Sequence, residues 1–315
     1  MLNWAIAGPG RMAAAMAADF PRVTNGEMLA VGSRSIDRAA AFAAEHGIDR
    51  AYGSYAELIA DPDVDALYIA TPHAQHAELA LAAIEARKAV LVEKAFTTSV
   101  AETSRVIEAA RAAGVFAMEA MWTRFNPGIV EARRLVESGE IGELRAMQGD
   151  LIAYRAFDAS DRLFAADLGG GAVLDLGVYV LSLAQYFMGT PTVVHAHGGT
   201  YSTGVEGEFG ALVGYPDGRT ATLAAAFTAR GPGRMMLVGT DGWIDLHPRF
   251  HRGPALTLWR GSESETLRFD SGYHYQVIHA GECIDAGLTE SPVMPLSDTQ
   301  EVQQLMAEVL NQIHS

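Results

Sequence analysis

Near the amino terminus the chain reads Asn3-Trp4-Ala5-Ile6-Ala7-Gly8-Pro9-Gly10-Arg11-Met12-Ala13, an apolar run followed by a glycine-rich turn. The turn fits the pattern G-x-G-x-x-A, in which the first glycine permits a tight turn and the second lets the backbone approach a pyrophosphate. The helix that follows directs its N-terminal N–H groups at the phosphates. Because the pattern lies between a predicted strand and a predicted helix, it predicts a dinucleotide-binding turn formed by Gly8, Gly10, Arg11 and Met12.

Working outward from this turn, short β-rich runs alternate with alanine-rich helical runs, which predicts a parallel sheet with crossover helices. Predicted strands cover residues 3–7, 28–33, 66–70, 89–93 and 115–119, and predicted helices cover 11–20, 36–46, 54–59, 77–86 and 100–113. We therefore expect an α/β protein whose residues 1–122 form an N-terminal Rossmann domain that binds a dinucleotide.

The pattern changes after Trp122. A helix over 127–137, a strand over 144–152 and an apolar helix after Gly169-Gly170-Gly171 precede successive strands between 192 and 269, and a terminal helix covers 297–313. Strands that follow one another through tight turns are usually antiparallel. We expect residues 123–315 to form a C-terminal α+β domain with a large, mostly antiparallel sheet, used for substrate binding and oligomerisation.

The composition excludes several classes of protein. With 38 acidic and 23 basic residues, the net charge of −15 is unlike that of proteins that bind nucleic acid or anionic membranes. The single cysteine, Cys283, excludes an internal disulfide and is typical of the reducing cytoplasm. The first apolar run is too short for a signal peptide, and no run reaches the ~20 apolar residues of a membrane span. We expect a cytoplasmic protein without nucleic-acid or membrane partners.

The sequence also predicts no metal site. Its ten histidines are scattered, and no carboxylate or cysteine completes a ligand set at the usual spacing.

The end of the second predicted strand indicates which dinucleotide is bound. An NAD enzyme usually carries an acidic residue here, which binds the ribose hydroxyls. This chain has Ser33 and Arg34, followed by Arg38 one helical turn later. A serine hydroxyl and a guanidinium group suit a 2′-phosphate, which a carboxylate would repel. The sequence therefore predicts NADP(H), with NAD as the less favoured cofactor.

Four further motifs extend the comparison beyond the turn: Thr71-Pro72-His73-Ala74-Gln75-His76, Glu93-Lys94-Ala95, Met121-Trp122-Thr123-Arg124-Phe125 and the run from Gly169 to Tyr179. With them the chain resembles the Gfo/Idh/MocA oxidoreductase family over its whole length. The last two motifs are similar to those of the branch with dimeric dihydrodiol dehydrogenases, NADP-dependent D-xylose dehydrogenases and glucose–fructose oxidoreductase. Ala95 departs from the family's proline, and alanine strongly prefers a trans peptide bond.

The resemblance implies hydride transfer between a nicotinamide and a CH–OH or carbonyl group of a sugar, a cyclic polyol or a vicinal diol. It also implies a homodimer in which paired subunits cover one face of the C-terminal sheet. Besides the turn and the residues after the second strand, it assigns to cofactor binding Thr71, Pro72, His76, Glu93, Lys94, Trp122, Arg124 and Arg162.

The catalytic residues that the resemblance implies are Lys94, Asp175 and Tyr179. Asp175 and Tyr179 are four residues apart and share a face of a helix. Tyrosine has a reference pKa of about 10, which a nearby ammonium group lowers. We expect Tyr179 to donate and accept the proton, Lys94 to tune it and bind the reacting oxygen, and Asp175 to orient the substrate or the lysine.

Three questions stay open at this point. The division of proton transfer between Lys94 and Tyr179 is unsettled, and the sequence does not identify the substrate. Two other functions remain as alternatives: a dinucleotide-sensing regulator without turnover, and a lyase or hydrolase that uses transient NAD-dependent oxidation.

Overall fold

The structure is a computed structural model that describes residues 1–315, and the chain divides into two compact units. The first unit comprises residues 1–122 and 272–300, and the second comprises residues 123–271 and 301–315. Each unit is built around one β-sheet.

The first unit contains a six-stranded parallel sheet with the strand order β3-β2-β1-β4-β5-β6. The strands are β1 Leu2–Ala7, β2 Gly26–Gly32, β3 Arg50–Tyr52, β4 Ala66–Ile69, β5 Ala89–Glu93 and β6 Ala117–Ala120. The crossover helices are α1 Arg11–Asp19, α2 Ile36–His46, α3 Tyr55–Ala60, α4 His76–Glu85 and α5 Val100–Ala113. β4, β5 and β6 are buried along their whole lengths, as expected for strands covered by helices on both faces.

The order of the strands creates a switch point beside β1. The chain builds β2 and β3 on one side of β1 and then crosses to build β4, β5 and β6 on the other side. Ligands of open parallel sheets bind at the carboxyl ends of the strands at such a point. The predicted Rossmann fold is therefore confirmed, and it directs attention to the residues that follow β1 and β4.

The second unit contains an eight-stranded sheet with the order β14-β13-β12-β11-β7-β10-β9-β8. Its helices are α6 Pro127–Glu137 and α7 Val178–Met188, the latter continuing from a π-helical turn over Val173–Gly177. Its strands are β7 Leu144–Ile152, β8 Val193–Thr200, β9 Glu206–Gly214, β10 Thr220–Ala226, β11 Met235–Gly239, β12 Gly242–Leu246, β13 Ala255–Arg260 and β14 Glu263–Arg268. The sheet is antiparallel except where β7 pairs with β10 in parallel, so a mostly antiparallel sheet is confirmed.

Two more helices complete the chain, α8 over His274–Asp285 and α9 over Leu296–His314. The expected division placed residues 272–300 in the second domain, whereas the structure groups them with the first unit. Hydrogen bonds explain this difference. The Asn25 amide donates to the Ile278 carbonyl over 2.8 Å, and the Ala117 N–H donates to the Thr289 carbonyl over 3.1 Å.

One helical segment, Ala166–Met188, is long and apolar enough to cross a membrane by length and composition, although the sequence suggested no such stretch. Within its most apolar window 94% of the segment is buried inside the protein. Core helices pass the same test, so the segment is weak evidence for a membrane span.

Candidate active site

The glycine turn after β1 is shaped by the residue that follows β4. Gly8 has a φ of +97°, and a Cβ atom on it would lie 2.8 Å from Cγ2 of Thr71. Thr71 and Pro72 come two and three residues after the end of β4, and the hydroxyl oxygen of Thr71 is buried without a hydrogen-bond partner. Gly8 and Thr71 thus form a cradle that a side chain on Gly8 would fill. Together with the unpartnered hydroxyl of Thr71, this cradle fits the phosphate-binding turn of a dinucleotide site.

The start of α1 differs from the starts of its neighbours. α2, α3 and α5 each begin with a serine whose hydroxyl accepts a backbone N–H, and each has an acidic residue in its first turn. α1 begins after Gly10 with no side-chain cap and no acidic residue in its first turn. Arg11 is exposed and Met12 is half-buried. The first N–H groups of α1 are thus left for an anion, as the glycine pattern predicts.

The residues after β2 form a cationic group beside a tyrosine. Ser33 is buried, and its hydroxyl oxygen accepts a hydrogen bond from the Ser35 N–H over 3.3 Å, which leaves its O–H as a donor. Arg34 and Arg38 are exposed. Burial raises the pKa of Tyr55, and the two nearby guanidinium groups partly oppose that shift. Sequence reasoning missed Tyr55, although its place at the start of the helix after β3 was a usable signal.

Two buried histidines connect the segments that follow β4 and β5. Nε2 of His73 lies 3.2 Å from the Lys94 carbonyl. Nδ1 of His76 lies 3.0 Å from the Ala95 carbonyl, and its Nε2 lies 2.9 Å from the Thr71 carbonyl. His76 has no exposed surface. Both ring nitrogens face backbone carbonyls inside the unit, and the expectation that His76 contributes to cofactor binding stays a prediction.

Lys94 directly follows β5 and is buried to 8% exposure. Its peptide bond to Ala95 is cis, whereas the ordinary preference of alanine predicts trans. The neighbouring Glu93 is also buried, and its carboxylate accepts a hydrogen bond from the Tyr68 hydroxyl over 2.5 Å. On the other side, the Phe96 N–H donates to the Glu119 carboxylate over 3.2 Å. Two buried carboxylates therefore hold the backbone on either side of Lys94.

Trp122 follows β6, the last strand of the first sheet, and is 3% exposed. Its ring lies against that of Tyr273, with centroids 4.3 Å apart and an angle of 34°. Sequence reasoning missed Tyr273 because it is distant in sequence and lies in a segment assigned to the other domain.

Arg124 forms hydrogen bonds with α7. Its guanidinium group donates to the Ser182 hydroxyl over 3.2 Å, to the Ser182 carbonyl over 3.1 Å and to the Gln185 side chain over 2.7 Å. It has no exposed surface. These contacts connect the segment of Arg124 to α7, and its expected part in cofactor binding stays a prediction.

In the second unit, the structure brings together three of the predicted residues. Asp175 lies in the π-helical turn, and Tyr179 follows four residues later in α7. The guanidinium group of Arg162 lies 3.7 Å from the Asp175 carboxylate. The Tyr179 ring lies 5.3 Å from the ring of His251, centroid to centroid. Sequence reasoning missed His251, which lies in a single 3₁₀ turn over Phe250–Arg252 that no sequence pattern marked.

Most of the predicted residues of the first unit lie at the same end of its parallel sheet. Gly8, Ser33, Thr71, Lys94 and Trp122 each follow the carboxyl end of a parallel strand. Cofactors and reacting groups of doubly wound sheets lie at this end of the sheet. The first unit thus carries the features of a dinucleotide site. In the second unit, Arg162 lies beside Asp175, and Tyr179 follows Asp175 in the same helical segment.

Comparison with protein families gives two matches. The model of the oxidoreductase family with an NAD-binding Rossmann fold matches residues 2–121, and the model of the GFO/IDH/MocA C-terminal domain matches residues 129–245. Trans-1,2-dihydrobenzene-1,2-diol dehydrogenase of Xenopus laevis is 32% identical, covering 99% of this chain and 98% of its own. The Mus musculus enzyme of the same name is 33% identical, with 99% and 95% covered.

Solved structures agree in fold. An aldose–aldose oxidoreductase from Caulobacter crescentus complexed with glycerol superposes with a TM-score of 0.92 at 25% identity, covering 99% of this chain and 97% of the other. A 3-ketoreductase from Actinomadura kijaniata with NADP has a TM-score of 0.88 at 24% identity, with 99% and 98% covered. A levoglucosan dehydrogenase with NADH has a TM-score of 0.90 at 22% identity, with 99% and 97% covered. The last two, below 25% identity, show the fold alone.

Proposed function

The chain belongs to the Gfo/Idh/MocA oxidoreductase family, and we propose that it is an NADP(H)-dependent dehydrogenase that acts on a vicinal diol or a sugar. The observation that supports this most strongly is the end of the first sheet, where the open start of α1, the Gly8–Thr71 cradle and Lys94 follow β1, β4 and β5. An NAD(P)-binding Rossmann domain is the common property of the family. The choice of NADP and the substrate are the parts that we propose.

The bound nicotinamide supplies hydride transfer, and the chain supplies groups that move the proton. In our proposal, Tyr179 accepts the hydroxyl proton when an alcohol is oxidised and returns it when a carbonyl is reduced. Lys94 binds the reacting oxygen and favours the phenolate of Tyr179 by its charge. Asp175, paired with Arg162, orients the substrate or the lysine. The buried positions of Lys94, Asp175 and Tyr179 strengthen electrostatic interactions between charged groups, because little water screens them.

For NADP, support comes from the exposed guanidinium groups of Arg34 and Arg38 beside the phenol of Tyr55. No acidic side chain lies among the residues from Gly32 to Ile36. A phosphate monoester between two arginines gains charge-assisted hydrogen bonds that a ribose hydroxyl cannot make. We accordingly assign these residues to the 2′-phosphate.

Relatives suggest the substrate class. The two relatives at 32% and 33% identity are both named as dehydrogenases of trans-1,2-dihydrobenzene-1,2-diol. The oxidoreductase from Caulobacter crescentus is named for aldoses. Both compounds present a secondary alcohol or hemiacetal with a neighbouring hydroxyl, so we propose a vicinal hydroxyl pair as the common feature that this chain recognises.

Reduced-nicotinamide absorbance tests the proposal. Purified protein is incubated with NADP⁺ or NAD⁺ and a panel of trans-1,2-dihydrobenzene-1,2-diol, D-xylose, D-glucose and inositols. We expect turnover with NADP⁺ on at least one member. Tyr179→Phe and Lys94→Met should each lower kcat by about 100-fold or more, the usual effect of removing a general acid–base group.

Tyr215→Phe is the matched control, because Tyr215 is a buried tyrosine of the same unit whose hydroxyl donates to the Ala184 carbonyl over 3.4 Å. This control should keep its turnover. Near-normal turnover in both Tyr179→Phe and Lys94→Met would contradict the assigned roles, and silence across the panel would contradict the proposed activity.

A homodimer completes the proposal. One face of the eight-stranded sheet carries α7, and the opposite face, which we call the outer face, includes Leu212, Thr222, Trp243 and Trp259. Leu212 is 44% exposed, and the two tryptophans stack with centroids 5.2 Å apart. Exposed apolar patches of this kind often mark interaction sites, because a partner that covers them removes apolar surface from water. We propose that two subunits pair through this outer face.

A further inference from the structure

A buried carboxylate with no assigned role lies at the start of the helix that carries Asp175 and Tyr179. Glu206, the first residue of β9, is 3% exposed. Its carboxylate accepts a hydrogen bond from the Val173 N–H over 2.8 Å. Val173 is the first residue of the π-helical turn, and 33 residues of chain separate it from Glu206. A distant strand therefore supplies the cap that the helix lacks in its own sequence.

The helix has no other side-chain cap. The residues at the cap positions are Ala172 before the turn and Gly177 before α7, and neither has a side chain that can accept a hydrogen bond. An uncapped helix start leaves backbone N–H groups without partners, and a carboxylate there also interacts favourably with the positive end of the helix dipole. Glu206 is thus the side chain that satisfies the first turn.

The glycine triplet is adapted to this carboxylate. Gly171 has a φ of +113°, and a Cβ atom on it would lie 2.1 Å from Oε1 of Glu206. A Cβ atom on Gly170 would lie between 2.7 and 2.9 Å from the backbone carbonyls of Leu163, Arg162 and Ala165. The glycines therefore let the helix start approach Glu206 on one side and the loop that carries Arg162 on the other.

The charge of Glu206 is poorly compensated. Burial raises the pKa of Glu206 to about 7, and only two backbone hydrogen bonds, from its own N–H and from that of Val173, act in the opposite direction. A carboxyl group that costs stability in this way is retained when it has another use. Glu206 has such a use if it holds the turn that carries Asp175. It binds the Val173 N–H of this turn, and in the same turn Asp175 donates its own N–H to the Gly171 carbonyl.

We propose that Glu206 is a positioning residue for the reaction, because its carboxylate fixes the turn that places Asp175 and Tyr179. This inference rests on the proposed function, in which those two side chains orient the substrate and move the proton. Small displacements of reacting groups lower the rate strongly, so an anchor of the turn affects kcat more than cofactor binding.

Two substitutions of the full-length protein separate anchoring from charge. Glu206→Gln keeps a carbonyl oxygen that accepts the Val173 N–H, so we expect kcat to stay within about threefold of wild type. Glu206→Leu keeps the bulk but removes the acceptor, so we expect kcat to fall about 10- to 100-fold. The dissociation constant of NADPH, measured by fluorescence, should change by less than about twofold in both variants, because the glycine turn and the arginines that we assign to the cofactor phosphates lie in the first unit.

Glu208→Gln and Glu208→Leu are the matched controls. Glu208 lies two residues further along β9, is exposed and bonds to the Thr228 hydroxyl. Both control variants should keep wild-type kcat. Equal losses in Glu206→Gln and Glu206→Leu, or wild-type kcat in Glu206→Leu, would overturn the proposal.

Amide hydrogen exchange over residues 172–179 provides a measurement that needs no turnover. Glu206→Leu should exchange faster there than wild type, and Glu206→Gln should not. If the wild type turned over no substrate of the panel, the proposed function would fail, and exchange would still decide whether Glu206 anchors the turn. Unchanged exchange in Glu206→Leu would overturn the anchor, whatever the activity of the wild type.

Discussion

At the scale of single residues, Arg34 and Arg38 provide the sharpest test of cofactor choice. Both guanidinium groups are exposed, and both influence the phenol of Tyr55. A charge-assisted hydrogen bond contributes ~1.5–3 kcal/mol, so Arg34→Ala and Arg38→Ala should each weaken NADPH binding by about 10- to 150-fold. NADH lacks the 2′-phosphate, and its affinity should change by less than about twofold. Fluorescence titration measures both affinities.

Arg105→Ala is the control for these variants, since Arg105 is a 58% exposed arginine on α5 that pairs with Glu78. It should leave both affinities unchanged. Parallel losses for NADPH and NADH in Arg34→Ala, or tighter binding of NADH than of NADPH by wild type, would contradict the proposed NADP preference.

Glu206 also predicts how stability depends on pH. Burial raises its pKa from the reference of 4.5 to about 7, so the folded protein favours the neutral carboxyl group. The contribution of this group is fully present below pH 4.5 and is lost as the pH rises through about 7. Relative to wild type, Glu206→Gln should therefore gain up to about 3 kcal/mol of unfolding free energy between pH 4.5 and pH 8.

Urea denaturation of both proteins at several pH values measures this difference, and other titrating groups cancel in the comparison. Glu208→Gln, which changes an exposed carboxyl group in the same strand, should show no such trend. A difference between Glu206→Gln and wild type that stays constant with pH would contradict the expected titration.

For single residues, the sequence predicted position along the strands better than it predicted burial. Residues placed by the parallel sheet, such as Gly8 and Lys94, follow their strands as the motifs indicate, because strand ends fix where the next residue lies. The burial of Arg124 and His76 was not predicted, because a motif does not reveal which side chains the packing encloses. Glu206 was missed, although an acidic residue opening an otherwise alternating strand was a signal of a buried carboxylate.

At the scale of elements, the free edge of β8 is covered by a side chain rather than by a strand. The Ala196 N–H donates to the Gln312 side-chain oxygen over 2.7 Å, and the Gln312 amide donates to the Val194 carbonyl over 2.8 Å. Gln312 belongs to α9 and forms one donor and one acceptor bond, as a neighbouring strand would. Unpaired edges promote pairing with other chains, so this contact protects β8.

Gln312→Ala should remove both bonds, lower the unfolding free energy by about 1–3 kcal/mol and speed aggregation on storage. Denaturant unfolding and light scattering measure the two effects. Gln304→Ala, an exposed glutamine of the same helix, is the control and should change neither. Aggregation of Gln312→Ala at the rate of the control would show that the edge is protected by other means.

Local sequence patterns predicted most of the helices and strands. They could not predict which distant segments pair in a sheet. The helices over 36–46 and 100–113 match α2 and α5 because serine caps and glycine ends mark them. β3 was missed because its three residues are too few to display a period. The parallel pairing of β7 with β10 joins segments about 70 residues apart, and no local signal specifies such a register.

At the scale of the whole molecule, the outer face of the second sheet predicts the oligomeric state. Light scattering after size exclusion should give a mass near twice the chain mass of 33.6 kDa. Leu212→Asp introduces a charge on the outer face, where Leu212 is 44% exposed, and should shift the mass toward that of one chain.

Leu288→Asp is the matched control, because Leu288 is 46% exposed but lies in the first unit. This variant should keep the mass of the wild type. A wild-type mass close to 33.6 kDa would contradict the proposed dimer.

The path of the chain also has a consequence for its biosynthesis. The first unit includes residues 272–300, and the second includes residues 301–315, so both units are closed by segments that are synthesised after residue 271. Until then, β6 lacks the bond from the Ala117 amide to the Thr289 carbonyl, and β8 lacks Gln312. Domains usually fold in order as they emerge during synthesis. Here neither unit is closed until the segments after residue 271 have emerged, so a frameshift or premature stop directly after residue 271 deprives both units of these contacts and produces a target for cellular quality control.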